Sequence, residues 1–269
     1  MIVEVNGVHL AYDDQGRGTP IVFLHAFPLN RTMWAAQASA LSKRFRVITV
    51  DLRGHGESDA PLWRYTLDQF ADDVTALLDR LSIRQAVMAG LSMGGYILFA
   101  MYRRHPDRIQ GLIFADTRAE ADQPTQVIWR FNLAQNVYKV GPKAVADEMV
   151  PKLLCPATVR KNPALVERVR AIIMSTPISG IVGDLMAIAE RPDSTPLLST
   201  IICPALVLVG DQDMLTTPEE NKRIAHGIAG ARLEVIPGAG HLSNMEQPEI
   251  FNRAVTAFVE RLGGRNSEF

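Results

Sequence analysis

The sequence predicts an α/β protein: a mostly parallel, eight-stranded sheet with helices on both faces and an inserted helical block. Three observations predict it. Short apolar runs alternate with amphipathic helical stretches near both ends of the chain, the grammar of a parallel sheet covered on both faces. Between Arg118 and Pro196 that alternation stops, and helical segments follow one another, punctuated by proline and glycine. Finally, Gly90-Leu91-Ser92-Met93-Gly94-Gly95 stands where an apolar strand gives way to a helix, the setting of a G-x-S-x-G turn that lifts its serine clear of a sheet.

The elements follow in order. Ile2–Val5 and Val8–Tyr12 read as strands around Asn6-Gly7, a type I′ hairpin signal. Asp13–Thr19 reads as a loop, and Ile21–Leu24 as a buried strand ending at His25-Ala26-Phe27-Pro28. Met33, Trp34, Gln37 and Leu41 mark one side of a helix. Arg46–Val50 is a strand that runs out into a glycine-rich loop. Thr66-Leu67-Asp68-Gln69 has the form of a capping box, and Phe70, Val74, Leu77, Leu78 and Leu81 give the helix behind it an apolar face. Gln85–Ala89 is the strand before the serine turn, and Ile109–Ala115 the next strand. Helices are expected over 125–140, 142–154, 163–175 and 179–190. Strands return at Ala205–Val209 and Arg232–Ile236, with a last helix over 248–262 and a patternless tail over 265–269. The domain division expected is residues 1–117 for the first part of the core, 118–196 for a helical cap and 197–269 for the second part. A cap so placed lies over the carboxyl ends of the strands, where open α/β sheets bind ligands.

Composition narrows the function. A net charge of −1 over 269 residues gives no field for nucleic acid or an anionic membrane. No signal peptide or membrane span is read. Cys155 and Cys203 form no metal or redox spacing, which fits a reducing compartment and a cytoplasmic location. No cofactor and no metal are expected. The partner expected is a small-molecule ester or lactone, and the chain a monomer or homodimer.

A serine hydroxyl needs a base, and the base an orienting acid. Of the six histidines, His241 lies in Pro237-Gly238-Ala239-Gly240-His241, a flexible loop after the last strand. His25 and His55 read as loop braces, and His9, His105 and His226 as structural. For the acid, Asp213 is chosen from Gly210-Asp211-Gln212-Asp213 because it lies further into its loop; Asp211 reads as a turn cap and Asp116 as an alternative acid. The order Ser92, Asp213, His241 is that of a strand–turn–helix serine site. Oxyanion donors are expected from the Met93 N–H, directly after the nucleophile, and the Phe27 N–H.

Together these residues resemble the α/β-hydrolase superfamily along nearly the whole chain. His25-Ala26-Phe27-Pro28 is similar to its His-Gly-x-Pro oxyanion loop, with Ala26 where glycine is usual. Asp51-Leu52-Arg53-Gly54-His55-Gly56-Glu57-Ser58 is similar to its Asp-x-Arg-Gly-x-Gly-x-Ser turn, and Gly238-Ala239-Gly240-His241 to its histidine loop. Within the superfamily the chain resembles bacterial carboxylesterases and 3-oxoadipate enol-lactonases, and also the cofactor-free perhydrolases. The resemblance implies a serine carboxylesterase acting on short- to medium-chain esters, with lactone hydrolysis or perhydrolysis as alternatives. A hydrolase-fold binding protein is the non-enzyme alternative, although such a protein need not keep all three triad residues.

Substrate contacts are expected from Phe27, Met93, Leu215 and Leu242, which adjoin the catalytic positions, and from Trp129 and Ile181 in the cap. Apolar stripes on helices ordinarily face a core, so Phe131, Met149, Ile172, Ile173, Leu185 and Met186 are weaker candidates. A carboxylate-bearing lactone would need a cationic partner, for which Arg118, Arg130 and Lys139 are available.

Overall fold

The computed structural model describes residues 1–62 and 64–265; of the tail read at 265–269, Arg265 belongs to the last helix and 266–269 lie outside the described residues. β1 (Ile2–Val5) and β2 (Val8–Gln15) form the hairpin, with φ of 48° at Asn6 and 74° at Gly7, as a type I′ turn requires. β2 runs further than its apolar residues indicate. Tyr12–Gln15 pair with Val47–Val50, and the outward carboxylates of Asp13 and Asp14 are taken up by Arg31 at 3.0 Å and Arg46 at 2.7 Å.

The next elements are β3 (Pro20–Leu24), α1 (Ala35–Leu41), β4 (Arg46–Val50) and α2 (Leu67–Arg80). A 3₁₀ turn at Arg31–Trp34 leads into α1, so Met33 and Trp34 lie in the turn rather than the helix proper. Thr66 caps α2, its hydroxyl oxygen accepting the Gln69 N–H at 3.1 Å. Then come β5 (Ala86–Leu91), α3 (Met93–Arg104) and β6 (Ile109–Ala115). Between β6 and β7 lie α4 (Pro124–Val140), α5 (Lys143–Leu153), α6 (Pro156–Lys161), α7 (Pro163–Ser175) and α8 (Ile178–Ala189), with no strand among the described residues. The chain ends with β7 (Ala205–Gly210), α9 (Pro218–Gly227), β8 (Arg232–Ile236), α10 (Ser243–Glu246) and α11 (Pro248–Arg265). α6, α9 and α10 had no periodic signal. α9 is a charged helix that buries only Asn221, Ile224 and Ala225, and the other two are six and four residues long.

The strands are ordered β1-β2-β4-β3-β5-β6-β7-β8. β1–β2 and β2–β4 pair antiparallel, and every later pair is parallel. α1 and α11 pack together, with the fully buried Trp34 ring 4.8 Å from Phe23 and 5.9 Å from Phe251. α2 packs extensively on α3, and within the insertion α4 does so on α8. Among the described residues no single helix is long and apolar enough to cross a membrane.

Close backbone approach fixes the serine turn. A Cβ on Gly90 would lie 2.4 Å from the Gly94 carbonyl, and one on Gly94 would lie 2.3 Å from the Leu24 oxygen. Neither glycine has positive φ; the unusual conformation falls on Ser92 itself, at φ 54° and ψ −112°. Gly94→Ala is therefore expected to destabilise the fold by about 1–3 kcal/mol through overpacking, measured as a lower urea midpoint with unchanged m-value.

The inserted helices are pinned to the sheet side at several points. Thr176 Oγ1 donates to the Pro28 carbonyl at 2.9 Å, and Ser179 Oγ to that of Ala60 at 3.1 Å. His55 Nε2, in the loop after β4, lies 3.0 Å from Asp184 Oδ2 on α8, and both side chains are fully buried. Burial pushes the His55 pKa down, but Asp184 outweighs it and the net shift is upward from 6.5. A histidine raised in the folded state contributes its full stabilisation below its unfolded pKa and loses it as pH rises through the folded value. His55→Gln is expected to cost about 3 kcal/mol at pH 6, as removal of one partner of a buried pair does. The deficit should narrow as pH rises above 6.5, read by denaturant unfolding across that range.

Candidate active site

Ser92 is the residue at which β5 turns into α3. Its strained backbone is held by two bonds to the end of β6: the Ser92 N–H donates to the Ala115 carbonyl at 2.9 Å, and Thr117 Oγ1 donates to the Ser92 carbonyl at 2.8 Å. Gly95 allows that second contact, since a Cβ there would lie 2.5 Å from Thr117 Oγ1.

His241 and Asp213 come from two loops that are themselves joined. The Gln212 N–H donates to the Ala239 carbonyl at 2.9 Å. A Cβ on Gly210 would lie 2.2 Å from the Gly240 oxygen. His241 Nδ1–H donates to Asp213 Oδ2 at 2.9 Å, which leaves Nε2 as the acceptor. The acid is fixed by its own loop. Asp213 Oδ1 accepts the N–H groups of Leu215 at 2.8 Å and Thr216 at 3.0 Å, and Oδ2 accepts the Thr216 hydroxyl at 2.6 Å. Burial pushes the Asp213 carboxyl up, but His241 and Thr216 outweigh it and hold the group below the usual range.

The other carboxylates have different work. Asp116 is fully buried, its oxygens accepting the Gly210 N–H at 2.8 Å and the Ser243 hydroxyl at 2.5 Å. Burial first, then the neighbouring Asp213, push its pKa well above the usual range. Asp211 does not cap its own turn; Oδ1 accepts the Gly238 N–H at 2.8 Å and braces the histidine loop. His25 is a brace: its Nδ1–H donates to the Ala26 carbonyl at 3.0 Å and its Nε2 accepts the Leu52 N–H at 3.1 Å. Burial, and then His55, push its pKa well down, keeping the ring neutral.

Ser92, His241, Phe27, Trp129 and Leu215 line one cavity of about 370 Å³. Met93, Ile181 and Leu242 are fully buried and stand outside that lining, so as side chains they pack in the core instead of meeting the cavity. Met93 presents its backbone at the first turn of α3. Phe27 N–H has no acceptor among the described residues. Of the weaker cap candidates Met149 lines the cavity; Phe131, Ile172, Ile173, Leu185 and Met186 do not. Lys139 is exposed and lies elsewhere.

Sequence reasoning missed Tyr96, Thr216 and Lys152. Tyr96 had a legible signal, since it stands four residues after Ser92 on α3 and so shares its face. Arg118, Arg130 and Lys152 all line the cavity, and among its described lining residues there is no Asp or Glu. Asp122 gathers the arginines from behind. Its buried carboxylate pairs with Arg130 and lies 2.8 Å from Arg191 Nη1. Burial raises its pKa, but Arg130 and Arg191 outweigh that and draw it below the usual range. Among the described residues no cluster of three His, Cys, Asp or Glu side chains forms a metal site.

With sheet order, strained serine and histidine–aspartate pair in place, comparison with known proteins defines the class. The family model described as the α/β-hydrolase fold matches residues 19–248, and the chain belongs to that family. An esterase from Thermogutta terrifontis, solved with malate bound, is 42% identical, with a TM-score of 0.94 over 97% of each chain. The enol-lactonase from Burkholderia xenovorans is 34% identical, with a TM-score of 0.91 over 97% of this chain and 100% of its own. A 3-oxoadipate enol-lactonase from Acinetobacter baylyi is 34% identical over 90% of this chain and 88% of its own.

Proposed function

We propose that this chain is a serine hydrolase that cleaves carboxylic esters of short to medium acyl chains through an acyl-enzyme on Ser92. The observation that carries the reading is the His241–Asp213 hydrogen bond at the wall of the cavity that Ser92 also lines. In the first step His241 Nε2 takes the Ser92 proton as Oγ attacks the ester carbonyl. Asp213 holds the imidazole in the tautomer that leaves Nε2 free and stabilises the imidazolium that forms. The Met93 N–H, at the head of α3, and the Phe27 N–H receive the charge that develops on the carbonyl oxygen. The alcohol leaves with the proton from His241. Water then attacks the acyl carbon as His241 takes its proton, and His241 returns that proton to Ser92 Oγ as the acid leaves. The residues 118–196 act as the cap that shapes the acyl site.

The cationic lining favours a second reading, a lactone or ester that carries its own carboxylate. Arg118, Arg130 and Lys152 line the cavity while their carboxylate partners Glu220, Asp122 and Glu148 stand outside its lining, and charge-assisted hydrogen bonds to a carboxylate are stronger than neutral ones.

The test compares p-nitrophenyl acetate, butyrate and octanoate with a carboxylate-bearing enol-lactone, each with wild type and Ser92→Ala. Ser92→Ala is expected to lower kcat by roughly 10⁴ or more; near-native turnover would overturn the acyl-enzyme. Fast ester turnover with a chain-length optimum supports the first reading, and weak ester turnover with fast lactone opening the second. The two buried aspartates are separated in the same assay. Asp213→Asn is expected to lower kcat by about 10⁴ through the wrong tautomer. Asp116→Asn keeps acceptor and donor atoms at its site, and its kcat per folded molecule should stay near that of wild type.

A further inference from the structure

The histidine loop is joined to the inserted helices by one side chain. Glu246, in α10, uses both carboxylate oxygens: Oε1 accepts the Gly240 N–H at 2.7 Å and Oε2 accepts the Cys155 N–H at 2.9 Å. Gly240 immediately precedes His241. Cys155 closes the segment after α5, and α5 carries Met149 and Lys152 in the cavity wall. The seam continues on both sides. The Leu242 N–H donates to the Leu153 carbonyl at 3.0 Å, and the Cys155 thiol donates to the Gly238 carbonyl at 3.4 Å. The two segments are so close that a Cβ on Gly240 would lie 2.6 Å from the Cys155 nitrogen. His241 is thus flanked by bonds to the insertion, through Glu246 on one side and Leu153 on the other.

We propose that Glu246 is a positioning residue for His241: it clasps the histidine loop to the end of α5, so that the set of the imidazole depends on the wall that holds the substrate. The catalytic meaning of this rests on the serine-hydrolase reading. Two backbone N–H groups from separate segments need two acceptor atoms, and a carboxylate provides them. Glutamine has the same shape but one oxygen; its amide nitrogen would set donor against donor. Alanine leaves both N–H groups without this acceptor. An error of 1 Å in the placement of a reacting group costs about 10²-fold in rate, so a loosened loop is read in turnover well before the fold is lost.

The experiment uses Glu246→Gln and Glu246→Ala in the full chain, with p-nitrophenyl butyrate as substrate and a fluorophosphonate to titrate reactive Ser92. Glu246→Gln is expected to lower kcat per titrated site about tenfold, a fraction of the cost of a full 1 Å error, with a smaller change in KM. The second readout is the proton NMR signal of His241 Nδ1–H, which should shift or broaden in both variants while the melting temperature of Glu246→Gln stays near that of wild type. Unchanged kcat per titrated site together with an unchanged Nδ1 proton would overturn the proposal. So would a loss of titratable sites with normal kcat in those that remain, since that is a purely structural effect. Inactive wild type would refute the hydrolase reading instead, and the Nδ1 signal, which needs no turnover, would still decide the clasp.

Discussion

Ser92 stands above the sheet because three stretches of backbone meet with no room for a side chain between them. β5 passes under α3 at Gly90 and Gly94, and α3 presses on the end of β3 at the Leu24 carbonyl. A helix this close to its own strand leaves the connecting residue one sharp path, and Ser92 takes it at positive φ. For a residue that is not glycine, such strain costs of order 1–3 kcal/mol. It persists because the flanking pairings of β5 with β3 and β6 allow nothing else. The position of Ser92 is therefore set by sheet packing, while Asp213 and His241 are carried by two loops joined to each other.

Those loops solve an electrostatic problem. Asp213 and Asp116 are both buried near the ends of adjacent strands and repel each other. The structure separates their roles by their hydrogen-bond partners. Asp213 receives two backbone N–H groups, a hydroxyl and His241, all of which favour its charge. Asp116 receives one N–H and one hydroxyl, too little to offset burial beside a like charge. The carboxylate whose partners favour its charge thus faces the imidazole, while the second, its pKa pushed up, braces β7 against α10.

Much of this was legible in the sequence for a physical reason. Parallel strands buried on both faces read as uninterrupted apolar runs, and glycine at close approaches is visible as glycine. The buried strands β3 to β7, the serine turn and the two loops with Asp213 and His241 follow from those two signals, and Asn6-Gly7 marks the β1–β2 hairpin. The misses share a cause. The polar end of β2, the charged α9 and the short α6 are held by backbone pairing, caps and neighbours, none of which leaves a periodic pattern. Among the site residues, Leu242 and Ile181 adjoin or face the right region yet turn into the core, because chain proximity does not fix side-chain direction. Lys152 escaped notice because a lysine on a helix ordinarily reads as solvated surface, and only the fold of α5 across the strand ends brings it to the cavity.

Asp122 has a consequence for how this molecule can vary. It binds Arg130 near the start of the insertion and Arg191 at its end, while Arg191 Nη2 donates to the Glu120 carbonyl and the Ser194 N–H to that of Ala119. The insertion is closed at its neck like a purse. Once a loop's ends are fixed, added or altered length within it changes closure entropy only slowly. Length can therefore be added in the turns between these helices at little cost, whereas the points that tie them to the sheet side, at Pro28, Ala60, His55 and Glu246, leave the walls themselves little room to drift.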